Sequence, residues 1–585
     1  VVYLALSSPM PGQVDAVELD AELAEVTRER FPESQLPGWA AARESEHPRW
    51  VWADARRWYP GLLAAGVRIE RCIDLRMCRT ILRNASATSG TDLARAPHDA
   101  WDEPARATGA PRDTLFDLDD QHPDDDPVTE LRRQRAAIDA STAPGRLSLL
   151  TAADSLGALV AIEMEHAGLP WNAERHTRIL TALLGERTPG PRPARMQELV
   201  ARIRTALDDP TVNPDSPPAL LKSLQRAGLR VSSTSRWELR SIEHPVIEPL
   251  MTYKKLARLY TANGWAWLAE WVHGGRFRPV YVPAAVVTGR WATDGGGALQ
   301  LPHQVRDAVV PDYGWKLVVA DAAQLEPRVL AAVSQDTAMA RAGQAHDLYR
   351  GMVEAGAVET REQAKYGMLG AIYGGTTGES ARMRPRIARA FPRAMAYVEA
   401  AARAGEAGQT VSTWLGRTSH QGAVHDYDET ASDAERRRSR GDDRARGRFT
   451  RNFVVQGTAA EWATCWMGSL RRMLWNLGGP DTGGASLTER PHLVFFLHDE
   501  LIVHTPAHLA DQVADAMRTS AAEAGRMLFG DAPVEFPVTV AIVDSYADAN
   551  EGGGTAPHAC YFPARPGIMA GSNSVRTSGR WGSRL

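Results

Sequence analysis

Residues 316–336 read KLVVADAAQLEPRVLAAVSQD, and the fold turns on how this stretch is understood. Leu317, Val318 and Val319 form a short apolar run rich in β-branched residues, the pattern of a buried strand. The run stops at Asp321. Beyond it Leu325, Val329 and Val333 recur at every fourth residue, so the chain changes from strand to helix period. A carboxylate at the end of a buried strand, just before a helix, has two readings. Asp favours the N-cap of a helix. It is also a hard oxygen ligand, and a sheet edge is a place to hold a divalent cation. The stretch alone leaves both open.

Two further constellations bear on the choice. HLVFFLHDELIVH, residues 492–504, sets His498-Asp499-Glu500 between two apolar runs, as in a β-hairpin with carboxylates at its tip. An ordinary acidic turn reads the same way. Taken with Asp321, however, Asp499 gives two carboxylate-bearing strand ends that could share one sheet edge. Two cations held there could activate an attacking hydroxyl and neutralise a leaving phosphate. The third stretch is REQAKYGMLGAIYGG, residues 361–375. On a helix Arg361, Lys365, Leu369 and Tyr373 fall within an arc of ~120° and span ~18 Å. Two cations on successive turns, then an apolar side chain, then a ring, suit a polyphosphate followed by a base that stacks. The plain alternative is a solvated basic edge beside a core tyrosine. Gly367, Gly370, Gly374 and Gly375 weaken the helix and favour close approach.

As an ordered set, these motifs resemble those of the family A DNA polymerases, the DNA polymerase I type. Asp321 to Arg328, DAAQLEPR, is similar to the family's Asp-x-Ser-Gln-Ile-Glu-x-Arg. Arg361, Lys365, Tyr373 and Gly374 match its Arg-x3-Lys-x7-Tyr-Gly, and His498-Asp499-Glu500 matches its His-Asp-Glu. Thr288-Gly289-Arg290 with Leu299-Gln300 and Pro302, the VSTWLGR of Val411 to Arg417, and Arg448, Asn452 and Gln456-Gly457-Thr458-Ala459-Ala460 resemble further family segments. Upstream, Glu163-Met164-Glu165 with Gly168, Ser216-Pro217, Ser233-Thr234 and His244-Pro245 fit its thumb region. The likeness covers about 150–548, and is strongest to the shorter actinobacterial-type members called bifunctional 3′–5′ exonuclease/DNA polymerases.

The resemblance implies an α/β multidomain chain with the right-hand polymerase architecture of palm, fingers and thumb. It implies DNA-templated addition of dNTPs to a primer 3′ end, in replication and repair, with two Mg²⁺ ions held by Asp321 and Asp499 and with Glu500 beside them. Arg361 and Lys365 would bind the phosphates, with Lys365 also a proton donor. Leu369, Tyr373, Gln324 and Glu326 would complete the dNTP site, Glu326 as the block to a ribose 2′-hydroxyl. Arg290, Gln300, Arg448, Asn452, Gln456 and His498 would touch primer-template DNA. The chain departs from the family at Ala322-Ala323, Pro327 and Leu369, which usually read Tyr-Ser, Leu and an aromatic. Ala298 falls near an expected Asn, and His346-Asp347-Leu348-Tyr349 puts Tyr349 where the family has His. A single-subunit RNA polymerase shares the two Asp residues and the basic helix, and Glu326 speaks against it. A non-catalytic DNA-binding scaffold would not need Asp321, Asp499 and Lys365 intact.

The rest of the chain sets the frame. At 585 residues it exceeds one core, and its 44% hydrophobic and 24% charged residues are globular in composition. A net charge of -4 excludes a globally basic nucleic-acid binder, so any such contact uses local patches. The four cysteines, Cys72, Cys78, Cys465 and Cys560, have no metal-type spacing. No apolar run approaches the ~20 residues that span a bilayer, and VVYLALSSPMPG lacks a basic start. A monomer away from membranes, cytoplasmic and associated with the nucleoid, is expected. Residues 1–83 read as a degenerate, ribonuclease H-like 3′–5′ exonuclease domain, for WADARRWYPGL (52–62) and Asp74 resemble middle segments of the family's proofreading domain. Its first-motif carboxylates are missing unless Asp20 and Glu22 serve, and the spacing of Leu19, Leu23 and Val26 puts those two at a helix start. Beyond it come a disordered linker over 84–128 and a helical connection and thumb over 129–270. The palm would follow at 271–340 and 452–550, with fingers at 341–451 between and a disordered tail at 551–585. Strands near 280, 318, 497 and 540 are expected in one sheet. The Arg-rich stretch 431–451 reads as a solvated loop, with helix resuming at about 452.

Overall fold

The computed structural model of the chain describes residues 2–103, 126–344, 347–375, 378–421, 433–477 and 486–550. Its amino-terminal part is built on a five-stranded sheet in the order Glu25–Pro32, Gln13–Leu19, Tyr3–Ser7, Arg49–Trp52, Cys72–Asp74. The first three strands are antiparallel, and the last two run parallel to Tyr3–Ser7. Alternation along Gln13–Leu19 sends Val14 and Ala16 into a core with Trp50, Trp52 and Tyr59. Val17 and Leu19 enter the opposite core with Val51, Trp101 and Leu131.

Three expectations for this region are corrected. Asp20 and Glu22 do not open a helix. They sit in the turn between Gln13–Leu19 and Glu25–Pro32, where Asp20 Oδ1 accepts from the Glu22 and Ala24 N–H groups at 3.0 and 2.8 Å. The leucine spacing that suggested helix is that of a strand end, a turn residue and the next strand. Residues 84–103 are ordered: Trp101 is buried, and the Arg79 guanidinium meets Asp99, Asp102 and Glu130 at 2.9 Å each. The helix Pro127–Asp139 belongs to this unit as well, since its Val128 and Leu131 close the second core. Residues 104–125 of the expected linker and the tail 551–585 lie outside the described residues.

The helix Pro144–Ala167 joins this unit to the rest. By length and composition it could cross a membrane, against the expectation from the sequence, but 78% of its apolar window is buried inside the protein. Ala158, Leu159 and Ile162 pack into the amino-terminal core. Leu147, Leu150 and Met164 pack into the main one. Between the two cores Glu163 accepts from Tyr59 Oη at 2.5 Å and from Arg471 Nε at 2.8 Å. Arg471 also donates to the Glu70 carbonyl at 2.6 Å. Removing one partner of so buried a pair costs roughly 3–5 kcal/mol.

Helices Ala173–Leu184, Ala194–Leu207, Pro217–Arg226 and Ile247–Asn263 follow, as the apolar spacing implies. A four-stranded antiparallel sheet then assembles from distant segments in the order His492–Leu497, Glu500–Pro506, Trp315–Ala322, Val538–Val543. The expected strand near 280 is not in it. Tyr281–Val282 pairs instead with Ala292–Thr293, and Arg276–Phe277 lies in a separate three-stranded sheet. Between Trp315–Ala322 and the other three strands the chain runs through Leu325–Ser334, Thr337–Gln344, Leu348–Glu354, Arg361–Tyr373, Gly378–Ala390 and Pro392–Glu406 before a last, longer helix. The Arg-rich stretch is no loop: one helix of 45 residues runs from Asp433 to Leu477. It packs along Pro392–Glu406 and then Ala510–Phe529, so tertiary contact overrides a segment without apolar period.

Candidate active site

Asp321 is the next-to-last residue of the strand Trp315–Ala322 and lies directly opposite Glu500 in the register. The following Ala322 N–H donates to the Asp499 carbonyl at 3.0 Å. The two carboxylate-bearing strand ends therefore meet at one edge, as their sequence allowed. Asp321 is not a helix cap. The helix Leu325–Ser334 begins later, and Gln324 holds the cap position in left-handed conformation, φ 49°. Opposite it, His498 turns the hairpin with φ 60°, and the Asp499 N–H donates back to Leu497 at 2.8 Å. A three-residue turn of this hand is strained and fixes where Asp499 points away from the ladder.

The electrostatics at this edge are those of crowded carboxylates. Burial raises Asp321, and the charges of Asp499 and Glu500 raise it further. Burial likewise raises Asp499, offset by Arg290 and reinforced by Glu500 and Glu326. Glu500 is raised by burial and eased by Arg306, whose Nη1 lies 3.8 Å from it. The Arg306 guanidinium also covers the Tyr546 ring at 4.3 Å. Nothing in the sequence singled out either residue. No hydrogen-bond donor among the described residues relieves Asp321. Nor do three or more His, Cys, Asp or Glu among them form a cage for an ion. Mg²⁺ commonly takes one or two carboxylates and leaves its other positions to water and phosphate. Asp321 and Asp499, buried and crowded by neighbouring carboxylates at this edge, fit such an open site.

Of the ten residues in Leu325–Ser334 only Glu326 is not buried. It accepts from Arg290 Nη2 at 2.5 Å and from the Tyr373 hydroxyl at 2.6 Å. The Tyr373 hydroxyl is in turn hydrogen-bonded by Gln456. Four sequence motifs thus close into one chain, Gln456, Tyr373, Glu326, Arg290. Arg328, fully buried, explains the end of its motif: it donates to the Ala323 carbonyl at 2.9 Å and to Glu535 and Gly343 carbonyls at 3.0 and 2.6 Å. It braces the turn that follows Asp321. Gln324 offers its side-chain oxygen to the Leu348 N–H at 3.2 Å.

Arg361–Tyr373 is helical, and the face carrying Arg361, Lys365, Leu369 and Tyr373 is half-buried, whereas Ala364, Met368, Ala371 and Ile372 are buried. Arg361 Nε donates to Asp347 at 2.6 Å. Gly374 ends the helix at φ 74°, and a Cβ there would lie 3.1 Å from Arg448 Cγ. On the long helix Arg448 is exposed and Asn452 and Gln456 half-buried, at four-residue spacing, so they share one accessible stripe. Asn452 Oδ1 is buried without a hydrogen-bond partner. Gly457 faces the other way: a Cβ there would lie 2.3 Å from Thr413 Cγ2 and 3.0 Å from the Thr288 carbonyl. The motif glycine lets the TGR segment, the VSTWLGR segment and the long helix meet. Beside it Trp414 N donates to Thr458 Oγ1, and Leu415 N to Glu461, at 3.0 Å each. Gln300 closes a short turn, Ala298–Gln300, but its side chain lies outside the described residues.

In the amino-terminal unit the two candidate carboxylates are engaged by backbone. Asp54 caps the helix Ala55–Ala64 and accepts from Arg56 N at 2.8 Å. Asp74 caps Leu75–Asn84, accepting from Met77 N at 3.1 Å and from Ala55 N at 2.9 Å. Burial and the charge of Asp54 raise it.

The sequence profile of DNA polymerase family A matches residues 192–548, well over half of the chain, and the chain belongs to that family. It is 28% identical over 322 residues to the thermostable DNA polymerase I of Thermus thermophilus, a match covering 51% of this chain and 36% of the relative. It is also 28% identical over 322 residues to DNA polymerase I of Chloroflexus aurantiacus, covering 51% and 32%. The chain thus spans about a third of the length of these curated relatives. Among solved structures it is similar to the POL domain of Pol1 from M. smegmatis in complex with DNA primer-template and dNTP. The TM-score is 0.64 at 18% identity, over 94% of this chain and 96% of that one, a likeness of fold.

Proposed function

We propose that this chain is a DNA-templated DNA polymerase that adds dNTPs to a primer 3′ end. One observation carries the reading: the 2.6 Å bond from Tyr373 to Glu326 ties the accessible cationic helix face to the segment that leaves the strand at Asp321. Phosphate-binding cations and paired carboxylates then serve one site. Asp321 and Asp499 would hold two Mg²⁺ ions. Ions held there would supply a lowered pKa to the primer hydroxyl and positive charge to offset that of the triphosphate. Lys365 and Arg361 would bind the phosphates, and Lys365 would give a proton to the departing pyrophosphate. Leu369 and Tyr373 support the base. Glu326 fills the space a ribose 2′-hydroxyl would need, which favours DNA over RNA synthesis. Arg290, Gln300, Arg448, Asn452, Gln456 and His498 belong to the primer-template surface. Positioning and fixed charge do most of the catalytic work.

In this reading the hand has its thumb in the helices before residue 271, its palm in the four-stranded sheet, and its fingers between. The amino-terminal unit is an exonuclease-related domain without proofreading. Its first strand, Tyr3–Ser7, carries no carboxylate, and Asp54 and Asp74 are spent as helix caps. The protein works as a monomer on cytoplasmic, nucleoid DNA.

Primer extension with Mg²⁺, comparing dNTPs with rNTPs, tests the reading. The parent should extend with dNTPs. Asp321→Ala and Asp499→Ala should each lose at least about a thousandfold in rate while still binding primer-template. A parent that extends nothing removes the proposal, and near-parent turnover in either variant removes the metal assignment. Digestion of a mispaired 3′ end should be no faster for the parent than for the Asp54→Ala/Asp74→Ala variant. A clear difference would make the amino-terminal unit a working nuclease.

A further inference from the structure

We propose that Asp347 is a positioning residue for nucleotide binding, holding the Arg361 guanidinium by one edge so that its other edge meets the phosphate tail. The inference rests on the polymerase reading above and names what orients its phosphate-binding arginine.

Asp347 is the N-cap of Leu348–Glu354, and its two oxygens divide the work. Oδ1 accepts from the Tyr349 and Arg350 N–H groups at 3.0 and 3.3 Å, so the helix start fixes the carboxylate. Oδ2 accepts from Arg361 Nε at 2.6 Å. Nε is the one nitrogen of Arg361 with a hydrogen bond among the described residues, which leaves both terminal amino groups without one. The guanidinium also lies 5.7 Å from the centre of the Tyr349 ring. Its side chain remains 40% exposed. Lys365 follows one turn later on the same half-buried face. A guanidinium is a planar fork, and gripping Nε leaves the opposite edge free for two phosphate oxygens. Arginine loses much rotamer freedom when it binds a ligand alone. Here a carboxylate and a ring restrain it before the ligand arrives, which favours binding.

The opposite role is that Asp347 sequesters the arginine from phosphate. The single-edge grip and the exposure argue for presentation instead, and experiment separates the two. Asp347→Asn keeps a side-chain oxygen suited to the N-cap and removes the charge. KM for dNTPs should rise about tenfold, the effect of losing one charge-assisted bond, with kcat within about twofold of the parent. The inhibition constant of inorganic tripolyphosphate, which has neither base nor sugar, should rise by the same factor. In an Arg361→Met background Asp347→Asn should change KM no further, because it acts through Arg361. An unchanged or lowered KM in the single variant overturns the proposal. So does an equal rise in the Arg361→Met background. Failure of the parent to extend primers at all would instead sink the polymerase reading, a separate result seen before any variant is made.

Discussion

Glu326 stands alone on its helix, with every neighbour buried and two donors, Arg290 and Tyr373, on its carboxylate. Two donors and the helix backbone fix its position, so in the proposed polymerase it would act as a fixed obstacle. Glu326→Ala should raise ribonucleotide incorporation relative to dNTPs by roughly 10–200-fold, the range that one packed group commands in a binding pocket. Competing rNTPs and dNTPs in one extension reaction measure it, and an unchanged ratio would remove the obstacle. Asp321 and Asp499 were legible as candidates in the sequence, because each ends an apolar run with a charge, whereas Glu326 stood out only through the family motif that Asp321 to Arg328 resembles. Arg328 and Arg306 were not legible as to role. One braces carbonyls of three separate segments and the other eases Glu500, and those partners become neighbours only in the fold.

Elements with their own apolar period were readable, and those shaped by neighbours were not. The strand Trp315–Ala322, the helix after it and the hairpin at His498 follow from short apolar runs and four-residue spacing. Residues 441–451 of the long helix have neither. There Arg446 pairs with Asp443 at 2.9 Å, Thr450 Oγ1 donates to the Arg446 carbonyl at 3.1 Å, and the helix Pro392–Glu406 lies alongside. The turn at Asp20 failed for the opposite reason: residues spaced as in a helix belong to two strands and the bend between them. Farther along the long helix, Gly457 carries the closest element-to-element approach at the site. Gly457→Ala gains helix propensity but drives a methyl into Thr413 and the Thr288 carbonyl. The overpacking should win, costing about 1–3 kcal/mol in denaturant unfolding and weakening primer-template binding. A variant as stable as the parent would mean that the three segments can part without loss.

Acid sets two populations of buried groups against each other across the whole molecule. Burial raises Asp321, Asp499 and Glu461, the last to about 7. The folded chain keeps protons there that the unfolded chain gives up, so these groups favour folding as pH falls towards their unfolded values. Burial pushes His176 and His492 down, each to about 4. There the unfolded chain binds more protons, and stability is lost as pH falls from about 6.5 through 4. His176 isolates this second effect. Its Nδ1 accepts from Trp171 Nε1 at 3.3 Å and its Nε2–H donates to the Asn263 carbonyl at 2.9 Å, so the neutral ring is satisfied and a second proton forfeits the Trp171 bond. Between pH 7 and pH 5 His176 should cost the parent about 2 kcal/mol that His176→Gln does not lose. Urea unfolding of both proteins at the two pH values measures the difference. Parallel losses in parent and variant would place the proton uptake elsewhere.

The helix Asp433–Leu477 is unbroken, and it carries both the stripe Arg448, Asn452, Gln456 and the buried anchor Arg471. That makes it a screw whose pitch links angle to length. One residue added between Gln456 and Arg471 would advance the stripe by about 1.5 Å and swing it through about 100° about the axis. Seven would restore the azimuth to within about 20°, yet displace the stripe by about 10 Å. No insertion preserves both. The composition of this span is free to drift wherever packing allows, but its residue count is locked by the phase between a surface at one end and an anchor at the other.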